Sequence, residues 1–183
     1  MLYQIVSFLL EVVAGLLCSA CLLRIYMQWQ RIGFGNPVGR LVFALSDWMV
    51  LPLRRVVPAM GRWDGASLVA ALLVALAQYL VLWLLLGAGT NVMWVLWLAL
   101  CGLVRVALTG MVVLLLVYVV MSWVQARSPI SDVVTRLCEP LLAPLRRVLP
   151  PLGGLDLSAL VLLVGLQVAL MVLGHVQAAA LLP

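Results

Sequence analysis

Charged side chains are scarce in this chain, and lysine is absent altogether. Charged residues make up 9% of the 183 residues, against about 25% in soluble domains. Hydrophobic residues make up 67%, and a soluble fold of this length cannot bury that much apolar surface. The composition therefore predicts an integral membrane protein. All eleven basic residues are arginine, so the net charge of +5 concerns the loops of a membrane protein and predicts no nucleic-acid partner.

Residues that usually carry chemistry are also few. His175 is the only histidine; it is interpreted as an interfacial side chain, with a single axial haem ligand in a dimer as the alternative. Cys18 and Cys21 form a C-x-x-C inside an apolar run, which lacks the strand-to-helix turn of a thioredoxin site. These two, like Cys101 and Cys138, are interpreted as small packing residues. Without a phosphate loop or a Ser/His/Asp grouping, we expect no enzyme, no metal and no cofactor.

A long stretch occurs twice, 92 residues apart and without a gap. Residues 36–67 and 128–159 share prolines, an arginine pair, a glycine and an aspartate in the same order. The matched positions are Pro37 with Pro129, Pro52 with Pro144, Arg54-Arg55 with Arg146-Arg147, Pro58 with Pro150, Gly61 with Gly153, and Asp64 with Asp156. Such self-similarity indicates an internal duplication. We interpret the chain as a single membrane domain, 1–183, with a first repeat at 1–90 and a second at 91–183.

Four apolar runs are long enough to cross about 30 Å of hydrocarbon. They lie at about residues 2–26, 66–86, 106–124 and 157–176. The first run lacks a basic leader and a small-residue cleavage site, and Glu11 interrupts it, so we expect a retained span and not a signal peptide. The sequence thus predicts an all-α protein with four transmembrane helices in two tandem repeats.

The apolar stretch that precedes the third span is too long for one span and too short for two. Arg105 divides it, so we predict a short interfacial or re-entrant helix on the periplasmic side near 92–104, followed by the span at 106–124. A single strongly tilted helix is the alternative.

Each repeat also predicts a short amphipathic helix after its first span. From Pro37, apolar residues recur at i, i+3, i+4 and i+7, with Arg40 and Asp47 on the other face; the second helix begins near Pro129 and is the more clearly amphipathic. Such helices are too short and too charged to span, and they are typical of the membrane interface. The prolines that follow are Pro52 and Pro58 in the first repeat and Pro140, Pro144 and Pro150 in the second. Since proline does not continue a helix, we predict that each arginine pair stands on a short, stiff segment.

An aspartate precedes the second span of each repeat. Asp64 and Asp156 are good N-caps, because a carboxylate accepts the free N–H groups of a first helical turn and favours its positive end. We therefore predict that both span helices begin just after these residues.

The arginines also predict the topology. Both stretches between the spans of a repeat carry several arginines, whereas the N-terminus, the 87–91 break and the C-terminal tail carry none. The positive-inside rule then predicts cytoplasmic short helices and periplasmic termini, with both repeats in the same orientation.

The order of the motif residues in the repeats resembles that of a known protein family. The second repeat reads Glu139-Pro140, Pro144, Arg146-Arg147, Pro150, Gly153, Asp156 and Ser158 in the same order as the YggT family of bacterial inner-membrane proteins, whose plastid and cyanobacterial relatives are called YlmG. The likeness extends to residues 23–29 and 121–123. The first repeat departs from it, because Asp47-Trp48 replaces the acidic-proline pair and the serine is displaced, so the second repeat is expected to be the one that recognises a ligand. The resemblance implies roles in osmotic-stress tolerance, cell division or membrane organisation, and in plastids the assembly of a haem protein.

The arginines are the main candidates for binding. A guanidinium binds phosphate in a bidentate way, so anionic lipid or a partner protein is the expected ligand of Arg40, Arg54, Arg55, Arg136, Arg146 and Arg147. A role restricted to topology is the alternative. One further hypothesis pairs Arg54 or Arg55 with Asp156, and Arg146 or Arg147 with Asp64, across the two repeats.

Polar residues inside the predicted spans are relevant to a second possible function, transport across the membrane. Glu11, Gln78 and Gln167 are interpreted as packing or oligomer contacts, with Gln78 and Gln167 facing one interface. The expected function is a non-enzymatic inner-membrane organiser or assembly factor, either as a homo-oligomer or with a membrane-protein partner. The alternative is a small transporter or channel built around Glu11.

Overall fold

The structure is a computed structural model that describes residues 1–57, 64–85, 92–124, 128–147 and 157–181. All regular secondary structure in these ranges is helical. The helices are α1 (Leu2–Trp29), α2 (Pro37–Leu53), α3 (Gly65–Leu85), α4 (Met93–Val124), α5 (Pro129–Arg146) and α6 (Leu157–Leu181). Among them α1, α3, α4 and α6 are long and apolar enough to cross a membrane. The order of a span-length helix, a short helix and a second span-length helix therefore occurs twice.

Local chain chemistry sets the ends of the short helices. Asn36 caps α2, its Oδ1 accepting the N–H of Gly39 at 2.8 Å, and Pro37 follows at the first helical position. Ser128 caps α5 in the same way, its Oγ accepting the N–H of Ser131 at 3.2 Å ahead of Pro129. Proline suits this position because its missing N–H has no partner there in any helix. The two prolines therefore lie where the sequence predicted them.

The turn between α1 and α2 is closed by a residue in a left-handed conformation. Arg31 has φ 56°, and the N–H groups of Arg31 and Ile32 donate back to the carbonyls of Gln28 and Met27 at 3.1 and 2.9 Å. This is the Schellman arrangement, in which Ile32 and Met27 also pack together. It ends α1 and turns the chain into α2.

The predicted division of residues 92–124 is wrong, because α4 is one continuous helix of 32 residues. Arg105 lies inside it. Arginine is a good helix former, and the segment contains no proline to interrupt the backbone hydrogen bonds. At about 1.5 Å per residue the helix is about 48 Å long, which exceeds the hydrocarbon thickness. This length agrees with the alternative prediction of a single long helix.

The predicted break at the prolines is also wrong. Pro52 lies inside α2, and Pro140 and Pro144 lie inside α5, which continues to Arg146. A proline removes one backbone hydrogen bond, but buried Leu137 and Leu142 pack α5 against its neighbours on both sides of Pro140. The arginine pairs therefore stand at the C-terminal ends of the short helices and not on separate segments. Pro58 and Pro150 lie outside the described residues, as do Gly61, Gly153 and Asp156.

Small residues bring the long helices together. Within each repeat the two long helices pack against each other, α1 with α3 and α4 with α6, and α3 also packs against α4. Ala66, Ala70 and Ala71 of α3 are fully buried against Cys21 and Val50. The Cys18 thiol lies 3.3 Å from the carbonyl oxygen of Ala71. The alanine face therefore serves contacts inside the chain, and both cysteines of the C-x-x-C are packing residues.

The two short helices meet between the repeats. Met27, Ile32 and Val42 of the first repeat form one buried cluster with Val133 and Leu137 of α5. The Tyr26 hydroxyl donates to the carbonyl of Leu137 at 2.8 Å. This contact is long-range in sequence, and it places the exposed face of α5 beside the end of α1.

Candidate functional site

A buried charge lies at the centre of the first repeat. Arg24 belongs to α1 and is only 2% exposed. Its Nη1 donates to Ser46 Oγ at 2.8 Å and to Asp47 Oδ1 at 2.6 Å, and its Nε lies 3.5 Å from Asp64 Oδ2. The guanidinium also lies over the Phe43 ring, 4.6 Å from the ring centroid, a favourable cation–π distance. Arg24 thus joins α1, α2 and the start of α3.

Asp64 is the second centre of this network. Arg54 Nη2 donates to its Oδ2 at 2.6 Å, the Ser67 hydroxyl donates to the same oxygen at 2.8 Å, and the Ser67 N–H donates to Oδ1 at 3.3 Å. Asp64 therefore caps α3, as the sequence predicted. Burial by itself raises the pKa of Asp64, but the hydrogen bonds from Arg54 and Ser67 and the charge of Arg54 outweigh it, so the pKa lies below its ordinary value of 3.8.

We name Arg24, Ser46, Asp47, Arg54, Asp64 and Ser67 the polar network. Its two guanidinium groups are balanced by two carboxylates, which is how a membrane protein keeps buried charge. The hypothesis that arginines of one repeat pair with the aspartate of the other is wrong for Asp64, whose ion pairs are with Arg24 and Arg54 of its own repeat. The proposed pairing with Asp156 falls outside the described residues. The network holds the first repeat together.

Sequence reasoning missed Arg24, Ser46, Asp47 and Ser67 as parts of one cluster. Asp47 was predicted on the polar face of α2, yet it turns toward α1 and its side chain is 38% exposed. A signal was present in the repeat, because Arg24 corresponds to Leu116 in the second repeat. A charge that appears in only one of two equivalent apolar spans needs a partner nearby.

The second repeat has no counterpart of Arg24. Leu116 replaces it, Cys138 replaces Ser46, and Glu139 replaces Asp47. Cys138 is fully buried, and burial raises the pKa of its thiol to about 12, although the charge of Arg146 opposes the shift. Arg146 donates to the Tyr118 hydroxyl at 2.7 Å. Of the other predicted motif residues here, Ser158 is buried and Glu139, Pro140 and Pro144 are exposed.

The candidate binding arginines fall into two groups. Arg54 is tied to Asp64 and Arg146 contacts Tyr118. Arg146 is itself exposed. The remaining four are exposed and have no side-chain hydrogen bond or ion pair within the described residues, namely Arg40, Arg55, Arg136 and Arg147. An exposed guanidinium keeps its hydrogen-bond donors available for phosphate or carboxylate groups of another molecule. We name these four the exposed arginines.

The polar residues of the span-length helices do not form a second cluster. Neither amide of Gln78 and Gln167 bonds to another residue in the part of the chain that the structure describes, and Gln167 is exposed. Glu11 of α1 and Arg105 of α4 are also exposed. His175 is exposed, its Nδ1 2.9 Å from the Met171 carbonyl oxygen. The described residues contain no group of His, Cys, Asp and Glu that could hold a metal ion.

The four span-length helices and the paired arginine-bearing helices define a helical membrane protein. A profile of the CCB3/YggT family matches residues 3–85 and 97–177. The chain belongs to this family, and the two matched segments agree with its duplication. It is 40% identical to the uncharacterised protein YggT of Escherichia coli (strain K12) over 166 residues, which cover 88% of this chain and 85% of that protein. It is 36% identical over 173 residues to an uncharacterised Vibrio alginolyticus protein from the proC 3′ region, covering 93% and 94%. No solved structure matches the chain.

Proposed function

We propose that this protein is a non-enzymatic organiser of the bacterial inner membrane, or an assembly factor for a membrane complex, that acts through the exposed arginines of its short helices. The observation that carries the proposal is their placement. Arg40 lies on α2, Arg136 lies on α5, and Arg55 and Arg147 follow the ends of these helices at equivalent positions of the two repeats. Four guanidinium groups on the connections between spans suit phosphate headgroups or an acidic partner.

The short helices also expose apolar side chains beside these charges. On α2, Leu41 is 61% and Trp48 65% exposed, while the face that packs inside the chain is formed by Gly39, Val42, Ser46 and Val50. A large exposed tryptophan near an arginine is typical of a helix that lies at a membrane interface. In this proposal Leu41 and Trp48 enter the lipid and the neighbouring arginines reach the headgroups.

The proposed topology places both short helices in the cytoplasm and both termini in the periplasm. The positive-inside rule supports it, because the arginines concentrate between the two spans of each repeat. The two repeats then share one orientation. A reporter that is active only in the cytoplasm tests this when fused after Pro183 or within residues 87–91: activity at either place contradicts the topology.

The biological setting follows from the family resemblance. The proposal links this chain to osmotic-stress tolerance, and to cell division or cofactor assembly, as a homo-oligomer or with a membrane-protein partner. Photo-crosslinking from positions 55 and 147 in intact cells, followed by purification, tests whether a partner contacts the arginine ends. Recovery of one reproducible partner supports assembly, whereas crosslinks to lipid alone support membrane organisation.

The lipid role has a direct test with a matched control. We expect the double variant Arg55→Gln, Arg147→Gln to retain less anionic lipid after detergent purification than the unchanged protein, since exposed ion pairs each contribute up to about 1 kcal/mol. Arg105→Gln removes an exposed arginine from a span-length helix instead. Arg105→Gln is expected to retain as much anionic lipid as the unchanged protein. If the double variant also retains as much, the exposed arginines do not have the proposed role.

A transporter or channel is the second candidate, favoured by Glu11 and Arg105. Both are exposed on span-length helices, and ionisable groups at such depth often mark a pathway. Purified protein in liposomes, assayed for potassium, sodium and proton flux, separates the two candidates. A flux that Glu11→Gln abolishes would replace the organiser proposal.

A further inference from the structure

An open groove of about 480 Å³ lies beside α5, near the end of α1. The groove is shallow and opens broadly to the surface of the protein. Its walls are formed by Gln30, Ile32, Arg136, Glu139, Pro140 and Ala143. The four α5 residues recur at i, i+3, i+4 and i+7 and so form one helical face. Half-exposed Trp29 precedes Gln30, as expected of a site at headgroup depth.

Two opposite charges line this groove without neutralising each other. Within the described part of the chain, no ion pair or hydrogen bond occupies the side chain of Arg136 or Glu139, and both residues are exposed. The duplication explains why Glu139 is available. Its counterpart Asp47 is held by Arg24, whereas the counterpart of Arg24 is Leu116, which cannot pair with a carboxylate. The groove therefore presents a cation and an anion one helical turn apart.

Two prolines of α5 leave backbone carbonyls without their usual donors. Pro140 has no N–H, so the carbonyl of Arg136 lacks its usual donor four residues later, and Pro144 has the same effect on the carbonyl of Pro140. Both carbonyls belong to residues that line the groove. Since an ammonium group carries three donors and no acceptor, this wall suits it well.

We propose that this groove binds the headgroup of a phospholipid that carries both a phosphodiester and a primary ammonium. The Arg136 guanidinium binds the phosphate, and the Glu139 carboxylate binds the ammonium. The Gln30 amide also lines the groove, and its Nε2 donates to the Leu137 carbonyl at 3.4 Å. This inference rests on the proposed function and specifies a lipid for the second repeat. The first repeat has no such groove chemistry, because Ala44 and Trp48 replace Arg136 and Pro140 and Asp47 is paired.

The charge pattern selects among headgroups. A trimethylated ammonium has no N–H to donate to Glu139, and an anionic headgroup without an ammonium brings only its phosphate to Arg136 and leaves Glu139 unpaired. Both alternatives therefore bind less tightly than a headgroup with a primary ammonium.

Native mass spectrometry of the detergent-purified full chain tests the inference. The probes are phosphatidylethanolamine, phosphatidylcholine and phosphatidylglycerol with identical acyl chains. We expect phosphatidylethanolamine to bind about three- to fivefold more tightly than phosphatidylcholine, because both headgroups carry a cation but only the primary ammonium donates a hydrogen bond to Glu139. We expect Glu139→Gln to bring this ratio near one, and Arg136→Gln to weaken binding of all three lipids.

Asp132→Asn is the matched control, because it removes an exposed carboxylate from the same helix but outside the groove; it is expected to keep the preference. Equal binding of phosphatidylethanolamine and phosphatidylcholine, or a preference for phosphatidylethanolamine over phosphatidylcholine that survives Glu139→Gln, would each overturn the assignment. So would a dimer whose formation excludes lipid, since a second copy would then occupy the groove.

The same titration separates this inference from the proposed function. The double variant Arg55→Gln, Arg147→Gln lowers total anionic-lipid binding if the proposed function holds, and leaves the phosphatidylethanolamine-to-phosphatidylcholine ratio unchanged. If the double variant binds less anionic lipid but the unchanged protein does not prefer phosphatidylethanolamine over phosphatidylcholine, only the groove assignment is refuted. If that preference is present but the double variant binds as much anionic lipid as the unchanged protein, only the proposed function is refuted.

Discussion

Arg24 donates to Asp47 across the α1–α2 contact at 2.6 Å, and this bond joins a buried guanidinium to a partly exposed carboxylate. The same guanidinium lies 3.5 Å from Asp64, at the start of α3. Three segments of the first repeat are thus held by one side chain. The second repeat has leucine at the equivalent position, so the duplicated halves are stabilised by different chemistry.

Arg24→Leu is expected to destabilise the protein by about 3–5 kcal/mol, because it leaves buried Asp64 with one guanidinium and Asp47 with none. The measurement is the SDS-unfolding midpoint in mixed micelles. Arg40→Gln, on the exposed side of α2, is the control and should change little. Adding Asp47→Leu to Arg24→Leu should recover part of the loss, since Arg54 still balances Asp64. Equal midpoints for Arg24→Leu and Arg40→Gln would show that the network does not stabilise the fold.

The stability of the folded chain should depend on pH through Asp64. Its pKa is lower in the folded protein than its ordinary value of 3.8, so the unfolded chain takes up the proton first as the pH falls. The carboxylate therefore stabilises the fold fully above its ordinary pKa, and this contribution is lost as the pH falls through the folded pKa. Melting temperatures between pH 3 and pH 7, about the region where aspartate titrates, should fall toward acid in the unchanged protein. In Asp64→Asn this acid-side decline should be smaller, and an identical pH profile would contradict the assignment.

Gly39→Ala should be destabilising, although alanine usually favours a helix. A Cβ at position 39 would lie 2.5 Å from the carbonyl oxygen of Phe34 and 2.7 Å from its Cα, so the backbone of the turn before α2 would have to move. Such overpacking costs about 1–3 kcal/mol. Gly15→Ala is the control, because nothing lies within 4 Å of its Cβ position, and it should be neutral or stabilising by up to about 1 kcal/mol. Thermal unfolding in detergent compares them, and the opposite order would refute the close approach.

Cys138 should resist alkylation in the folded protein. It is fully buried, and its pKa of about 12 leaves almost no thiolate near neutral pH. A variant that keeps only this cysteine, treated with a maleimide at about pH 8 where an ordinary thiol reacts, should be labelled only after unfolding in SDS. A cysteine placed at exposed Asp132 is the positive control. Rapid labelling of native Cys138 would show that α5 does not pack against α4 as described.

Features that depend on nearby residues were predictable. Asn36-Pro37 and Ser128-Pro129 each place a capping oxygen before a proline, and both short helices begin there. Asp64 was predicted to cap α3 and does so. A cap needs only the chain within one helical turn, which the sequence displays directly.

Two predicted helix boundaries are wrong, because the helix continues through the residues that were expected to end it. Arg105 does not interrupt α4, since a single charge leaves the backbone hydrogen bonds intact. Pro140 and Pro144 do interrupt those bonds, yet α5 continues because its buried face keeps packing against α4 and α6. Neither charge nor proline ends a helix by itself when the flanking residues remain packed.

The sequence alone determined the membrane class, the duplication and the family, because these follow from composition and from residue order. Only the tertiary structure decided which charges are paired: it buries Arg24 between Asp47 and Asp64, ties Arg54 to Asp64, and leaves Arg136 and Glu139 exposed in a groove. The physical reason is distance along the chain. Arg24 contacts carboxylates that are far from it in sequence, and the local sequence pattern does not predict which helices bring these residues together.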